Sequence, residues 1–400
     1  MKLMEKPMIK AAERTGLVNE YYFSTKLAGI ARMRQQGADV ISLGIGSPDI
    51  PPAEDVIVEL ARSAAGSQNH GYQSYRGIPA LRIAFAVWYM KYFKVTLDPE
   101  TEILPLIGSK EGIMHISMAF LDPGDEVLVP DPGYPAYSAA TKLAGGIVRV
   151  YDLKEENGWL PDPETIEASG VEKVKIMWIN YPHMPTGARA TSEIFQRLVN
   201  FARRHSILLC NDNPYSFILN NDHLSLLSVT GARDVALELN SLSKSHNMAG
   251  WRIGMVAGSN GFINDVLKVK SNMDSGMFQP LQAAASTALS APDEWYSQLN
   301  EVYRRRRNIA GGIMNALSCT FDPAQAGLFL WGRIPADCSD SVALTEELLH
   351  RYHVFITPGS VFGDNGKRFI RISLCATEEL LEKALKRITS DNHPGVNYKK

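Results

Sequence analysis

The chain has no hydrophobic run of membrane-spanning length, no long block of one charge and no pair of cysteines at metal-binding or redox spacing. With 41 basic and 43 acidic side chains mixed along the sequence, the net charge of −2 offers no field for nucleic acid or a membrane surface. The longest basic run, Arg304-Arg-Arg-Arg307, follows Glu301-Val-Tyr303 in a helical stretch and fits a solvated or salt-bridged helix face better than an anion site. Cys210, Cys319, Cys338 and Cys375 are scattered, and Cys210 sits in an apolar run as a small buried hydrophobe would. No bound metal is expected, and the thiols fit a reducing compartment. Met1–Lys10 lacks the apolar segment of a signal peptide, so a soluble, cytoplasmic protein is expected.

What is present is enough apolar material, 45% of 400 residues, to fill more than one core, so two unequal domains are expected. The most informative stretch is Ser241-Leu-Ser-Lys-Ser-His-Asn-Met-Ala-Gly-Trp-Arg252, between one strand-like run and a second, Arg252-Ile-Gly-Met-Val-Ala257. An ammonium between buried strands is costly unless paired or deprotonated. Ser241, Ser243 and Arg252 add hydroxyl and guanidinium donors suited to a phosphate. A reactive amine, Lys244, beside a phosphate site suggests pyridoxal phosphate.

This motif resembles the cofactor-lysine motif of the class I and II aminotransferases, the fold-type I family that includes aspartate aminotransferase, and the resemblance extends over nearly the whole chain. It implies an α/β fold: a large, mostly parallel sheet domain flanked by helices, and a smaller α+β domain. The expected division is an N-terminal arm with part of the small domain over 1–50, a large cofactor-binding domain over 51–285 and a small C-terminal domain over 286–400.

Other motifs agree. Glu102-Ile-Leu-Pro-Leu-Ile107 reads as a buried strand, and Gly108-Ser-Lys-Glu-Gly112 opens a helix whose free N–H groups make an anion site. Ser109 and Lys110 match the family's phosphate-binding turn. Asp131-Pro-Gly-Tyr-Pro-Ala-Tyr137 is a loop stiffened by two prolines, and its Tyr134 matches the aromatic that stacks on the cofactor ring. Val174–Ile179, a helix from Thr191 and Ile207–Cys210 form a strand, helix, strand unit that predicts a parallel pair with Asp212 at a carboxyl end. Ligands of open α/β sheets gather at such ends. In the family, the residue at Asp212 pairs with the pyridine nitrogen and that at Tyr215 with the ring hydroxylate. In Val40–Asp49 a short strand breaks into a turn whose Gly46 is the substrate-side candidate, and Arg371, in the strand Arg368–Ser373, matches the arginine for the substrate α-carboxylate. Tyr72, five residues before Gly77, matches a tyrosine that crosses to the partner's cofactor phosphate, which implies a homodimer with shared sites.

The implied reaction is a ping-pong transfer of an amino group from an L-amino acid to a 2-oxo acid through a Lys244 Schiff base, with Lys244 moving the α-proton. Another fold-type I activity, a carbon–sulfur β-lyase or a decarboxylase, is the alternative, and a non-catalytic amino-acid-sensing domain is a more distant one. The sensing domain is disfavoured because about forty residues before the first motif leave no room for an attached DNA-binding domain. Ser271–Phe278 lacks the arginine of dicarboxylate-specific relatives, whereas Tyr22 and Phe23 are candidates for an apolar pocket. One departure stands out. In Tyr181-Pro-His-Met-Pro-Thr-Gly187, Met184 occupies the place of the family asparagine that bonds the ring hydroxylate, leaving His183, Asn180 or Tyr215 alone to compensate.

Overall fold

The computed structural model describes residues 9–390; Met1–Met8 of the expected arm and 391–400 of the expected C-terminal domain lie outside the described residues. In chain order the strands are β1 (Ile41–Ser42), β2 (Ile103–Leu106), β3 (Glu126–Asp131), β4 (Ile147–Asp152), β5 (Val174–Ile179), β6 (Leu208–Asp212), β7 (Ala236–Ser241) and β8 (Gly254–Gly258). They are followed by β9 (Phe329–Arg333), β10 (Val354–Phe355), β11 (Thr357–Pro358) and β12 (Phe369–Ser373). Strands β2 to β8 form one sheet in the order β2-β8-β7-β6-β5-β3-β4, parallel throughout except for β8, which runs against both neighbours. The expected parallel pairing of β5 and β6 is present, Ile176 opposite Leu208. No helix among the described residues is long and apolar enough to cross a membrane.

Successive side chains of a strand point to opposite faces, and both faces of this sheet are covered. Leu104, Val127, Val129 and Leu237 enter one core, whereas Ile103, Leu128, Met177 and Leu209 enter the other. The second core also takes Phe85, Trp88 and Tyr89 from the helix Pro79–Phe93, each burial stabilising by about 1.5–3 kcal/mol. The helix Ser192–His205 covers its strands with Ile194, Leu198, Phe201 and Ala202, and the Thr191 hydroxyl caps it by accepting from Ile194 N–H.

A separate core joins the two ends of the described chain. Phe23, Ile41 and Leu43 pack with Leu299, Tyr303, Phe329, Ile370, Ile372 and Leu381. Here β9, β11 and β12 make an antiparallel sheet, and β1 pairs in parallel with β10. The expected helix of the N-terminal segment is Tyr22–Gln35, with Ile30 buried on its inner side.

The basic run of the long helix Asp293–Ala316 is only partly the surface feature expected. Arg304 and Arg305 pair with Glu301 at the surface, but Arg306 is buried and makes a bidentate pair with Asp49 at 2.6 and 2.8 Å. A buried guanidinium needs such a partner, and this one clamps the Gly46–Asp49 turn to the helix.

The carboxyl ends of β2, β3, β5, β6 and β7 lie on one edge. Gly254, at the start of β8, is registered between Leu106 of β2 and Ser241 of β7. A Cβ there would come within 2.6 Å of Asn240 O and 3.2 Å of Ser109 N, so the backbones meet without room for a side chain. Gly254→Ala is expected to cost about 1–3 kcal/mol by overpacking against backbone that cannot move aside; a denaturant titration with an unchanged midpoint would contradict this contact.

Candidate active site

The shared edge opens into a cavity of about 450 Å³. It is lined by every candidate site residue except Tyr72: Gly46, Ser109, Lys110, Tyr134, Asp212, Tyr215, Ser241, Ser243, Lys244, Arg252 and Arg371. Tyr72 stands 93% exposed on the surface, away from its own chain's cavity.

Lys244 lies in the short helix Leu242–Ser245 directly after β7. Its Nζ donates to Gly46 O at 2.5 Å. Burial holds the ammonium below the ordinary lysine value, with Arg371 and Arg252 pushing the same way. Beside it, Ser241 Oγ donates to Ser243 Oγ at 2.8 Å and accepts from Ser243 N–H. Arg252 is held by Ala249 O at 3.0 Å and Ile107 O at 3.4 Å. Ser109 Oγ is buried with no hydrogen-bond partner at the start of the helix Ser109–Phe120. These hydroxyls, the guanidinium and the helix N-terminus converge where β2 and β7 end, a donor set suited to a dianion. Lys110 also lines the cavity: its ammonium lies 4.5 Å from the centre of the Tyr21 ring, and burial and the charge of Arg252 lower its pKa.

Asp212 ends β6. Its Oδ2 accepts from Tyr137 at 3.2 Å, while Oδ1 is buried without a partner. Burial raises its pKa to about 7, against the lowering effect of the bonded Tyr137 hydroxyl, of the Ser109 hydroxyl, which lies nearby without forming a bond of good geometry, and of Lys244. Tyr137 is fixed by stacking on Trp178 at 5.0 Å, and Tyr134 meets it edge to face at 5.6 Å. Burial also keeps the Tyr215 hydroxyl protonated beyond its ordinary range, although Arg371 opposes this.

Arg371 projects from β12 into a box of rings, 3.9 Å from Phe329, 4.5 Å from Phe362 and 5.5 Å from Phe23. Burial lowers its pKa to about 10. Nη2 donates to Gly44 O at 2.8 Å, Nη1 faces only the Met184 sulfur at 3.2 Å, and Nε has no partner. A thioether is a weak acceptor, so most of this guanidinium's bonding capacity is unspent. Of the two neighbours, Asn180 lines the cavity and is engaged, donating to Asp212 O and accepting from Met184 N–H at 2.9 Å; His183 Nδ1 bonds Thr186 at 2.8 Å, and its Nε2 is buried without a partner.

The far wall is aromatic and apolar. Tyr21, Phe23, Leu27 and Ile45 line it, so the expectation for the arm holds at Phe23 but shifts from Tyr22 to Tyr21. Tyr22 is absent from the lining and packs on the small-sheet core instead. Phe329 and Phe362 were not singled out in the sequence; strand alternation gives Phe329 a face, but only the β9–β12 register brings it beside Arg371.

The Asp212 carboxyl has a pH signature. Its folded pKa, about 7, lies above the ordinary 3.8, so it contributes stability below pH 4 that is lost as pH rises through 7. In cofactor-free protein the melting temperature should therefore fall, relative to Asp212→Asn, between about pH 4 and pH 7. Parallel melting curves across that window would refute the assignment.

Residues 38–388 match the family described as aminotransferase class I and II. The LL-diaminopimelate aminotransferase of Desulforudis audaxviator is 43% identical, over 94% of this chain and 96% of its own. The substrate-bound BacF structure from Bacillus subtilis superposes with a TM-score of 0.92 at 33% identity, covering 95% of this chain and 97% of BacF. A Thermus thermophilus aspartate aminotransferase mutant gives 0.88 at 28% identity, over 95% and 99%. With the match spanning all three sheets and every strand end that lines the cavity, this chain belongs to the class I and II aminotransferases and has the fold of the fold-type I enzymes.

Proposed function

We propose that this aminotransferase holds pyridoxal 5′-phosphate on Lys244 and takes as amino donor an acid of the diaminopimelate type, one with a second carboxylate at its distal end. The observation that carries the donor class is a count of charges. Besides Lys244, three cations line the cavity, Arg252, Arg371 and Lys110, and none has a carboxylate partner among the described residues. A phosphate accounts for Arg252 and an α-carboxylate for Arg371. Lys110, beside Tyr21, remains for a further anionic group. The name of the 43% identical relative supports the same class.

The chain's residues fit this cofactor. Two buried oxygens, Ser109 Oγ and Asp212 Oδ1, have no hydrogen-bond partner of good geometry, and a phosphate and a protonated ring nitrogen would satisfy them. Ser109, Ser241, Ser243 and Arg252 would bind the phosphate, and Asp212 Oδ1 would hold a proton on the ring nitrogen. Tyr134 would stack on the ring and Tyr215 would bond its hydroxyl. When bound, the cofactor supplies the electron sink for breaking the α-C–H bond. Arg371 would orient the substrate α-carboxylate as a bidentate pair, and Lys244 Nζ, its basicity already reduced by burial, would take the α-proton. Gly46 lets the Phe329 ring pack directly against the turn, in the space a side chain would need.

Tyr72 reaches the partner's phosphate in a homodimer, and its full exposure on its own chain supports that reading. We take 51–285 as the cofactor domain and 1–50 with 286–400 as the smaller one; the core that joins Phe23 and Ile41 to Ile370 supports this division.

Addition of single amino acids to the cofactor-loaded enzyme, without a 2-oxo acid, tests the donor. LL-diaminopimelate should bleach the visible band with stoichiometric release of oxo acid, aspartate should not, and Lys244→Ala should abolish turnover. Lys110→Met should lower kcat/KM for LL-diaminopimelate by about 10- to 100-fold, the loss of one charge-assisted bond. An unchanged value would reject the Lys110 role. Met184→Asn should lower the pKa of the Lys244–cofactor bond by about one unit, since an amide donor to the ring oxygen is restored. Equal pKa values in a spectral titration would mean that the thioether has no such effect.

A further inference from the structure

Outside the cavity, four ionisable side chains meet beneath the turn at Gly108–Ser109. Glu111 Oε2 accepts from Ile107 N–H, and Glu111 Oε1 lies 3.1 Å from His115 Nε2. His115 is buried and neither ring nitrogen has a hydrogen-bond partner of good geometry. One donor atom each of Glu111, His115 and Asp274 lie within 4.8 Å of one another. Lys270, its side chain 1% exposed, bonds Asp274 Oδ2 at 2.5 Å. Glu111 thus faces His115, and Asp274 faces the buried ammonium of Lys270, with the imidazole within 4.8 Å of both carboxylates. Such a group is costly to break from either side.

The far side of this quartet touches the Tyr72 loop. Asp274 Oδ1 accepts from Gly276 N–H at 2.8 Å. Gly276 has φ +83° and lies so close to Gln73 that a Cβ would be 2.4 Å from Gln73 O. Gln282 then brackets the loop, accepting from Ile78 N–H at 2.8 Å and donating to Met277 O at 2.6 Å. A path therefore runs from Ile107, two residues before Ser109, through Glu111 and His115, across a gap of no more than 4.8 Å to Asp274, and on through Gly276 to Gln73, the residue after Tyr72.

We propose that Glu111, His115, Asp274 and Lys270 are positioning residues that tie a chain's own anion-binding turn to the loop from which it offers Tyr72 to its partner, coupling cofactor binding between the two sites of the dimer. The proposal rests on the reading of Ser109 and Tyr72 as phosphate contacts. Shifting the turn moves Glu111, and through Asp274 and Gly276 it moves the loop. A subunit that has lost its phosphate thereby loosens the tyrosine on which the other site depends.

The test uses hybrid dimers with Lys244→Ala in one subunit, so that only the other gives the visible band of the Lys244–cofactor bond. Adding Glu111→Gln, His115→Asn or Gly276→Ala to the Lys244→Ala subunit should raise the pyridoxal phosphate Kd of the unaltered subunit by about 5- to 20-fold. Gly276→Ala leaves the quartet's chemistry intact and disturbs only the loop contact. A merely structural role would lower the melting temperature of the altered subunit without touching its partner's Kd. Tyr72→Phe in the same subunit is the control. If it leaves the Kd unchanged, the cross-subunit reading of Tyr72 falls and the coupling with it; if it weakens binding and the other three changes do not, the coupling alone is overturned. Zn²⁺ titrated against the holoenzyme should show no site that His115→Asn removes. One such site per chain would make the cluster a metal centre and overturn the proposal.

Discussion

The contact on which the site depends is the passage of three backbones past Gly254. Antiparallel β8 brings the ends of β2 and β7 to either side of one residue, and the absence of a side chain there lets the Ser109 turn and the Ser241–Lys244 segment approach. Residues more than 130 positions apart in sequence then present donors to one volume. The parallel strands β5 and β6 add Asn180 and Asp212 to the same edge because all their carboxyl ends point one way. Sheet topology supplies the convergence, and individual side chains only have to be right for their own strand end.

The second constraint is electrostatic. The cavity gathers positive charge among buried side chains, and each group adjusts in the direction burial dictates: Lys244 and Arg371 become weaker bases than usual, and Asp212 holds its proton more tightly. The aromatic box around Arg371 adds cation–π attraction without spending its hydrogen-bond donors. A guanidinium held by ring faces and a thioether stays available to an incoming carboxylate. The same guanidinium held by an asparagine oxygen has one donor fewer to offer.

The strand ends and their turns were legible in the sequence because each is local: an apolar run, a glycine or proline break, then a polar side chain. Lys244, Asp212, Ser109 and Tyr134 could be placed that way, and the family resemblance carried the rest of the cofactor residues. What escaped depends on register or on contacts between distant segments. Arg306 looked like part of a surface run because nothing local reveals that Asp49 waits beneath it. Phe329 and Phe362 gain meaning only from their approach to Arg371, and Tyr21 displaces Tyr22 because of a rotation about the helix start that a two-aromatic pattern does not fix. Lys110 matched the phosphate turn by position, yet its long side chain carries the charge to Tyr21.

Much of the apolar lining is built from the segment around Tyr21–Leu27 and Ile45, whereas Lys244, Asp212 and the phosphate-binding candidates follow strands of the large sheet. The apolar wall and the cofactor-binding groups are therefore written in separate stretches of the gene. Drift in the first few dozen codons can open, narrow or recharge the pocket while every strand end keeps its residue, so new donors can be acquired by a lineage without an intermediate that has lost catalysis.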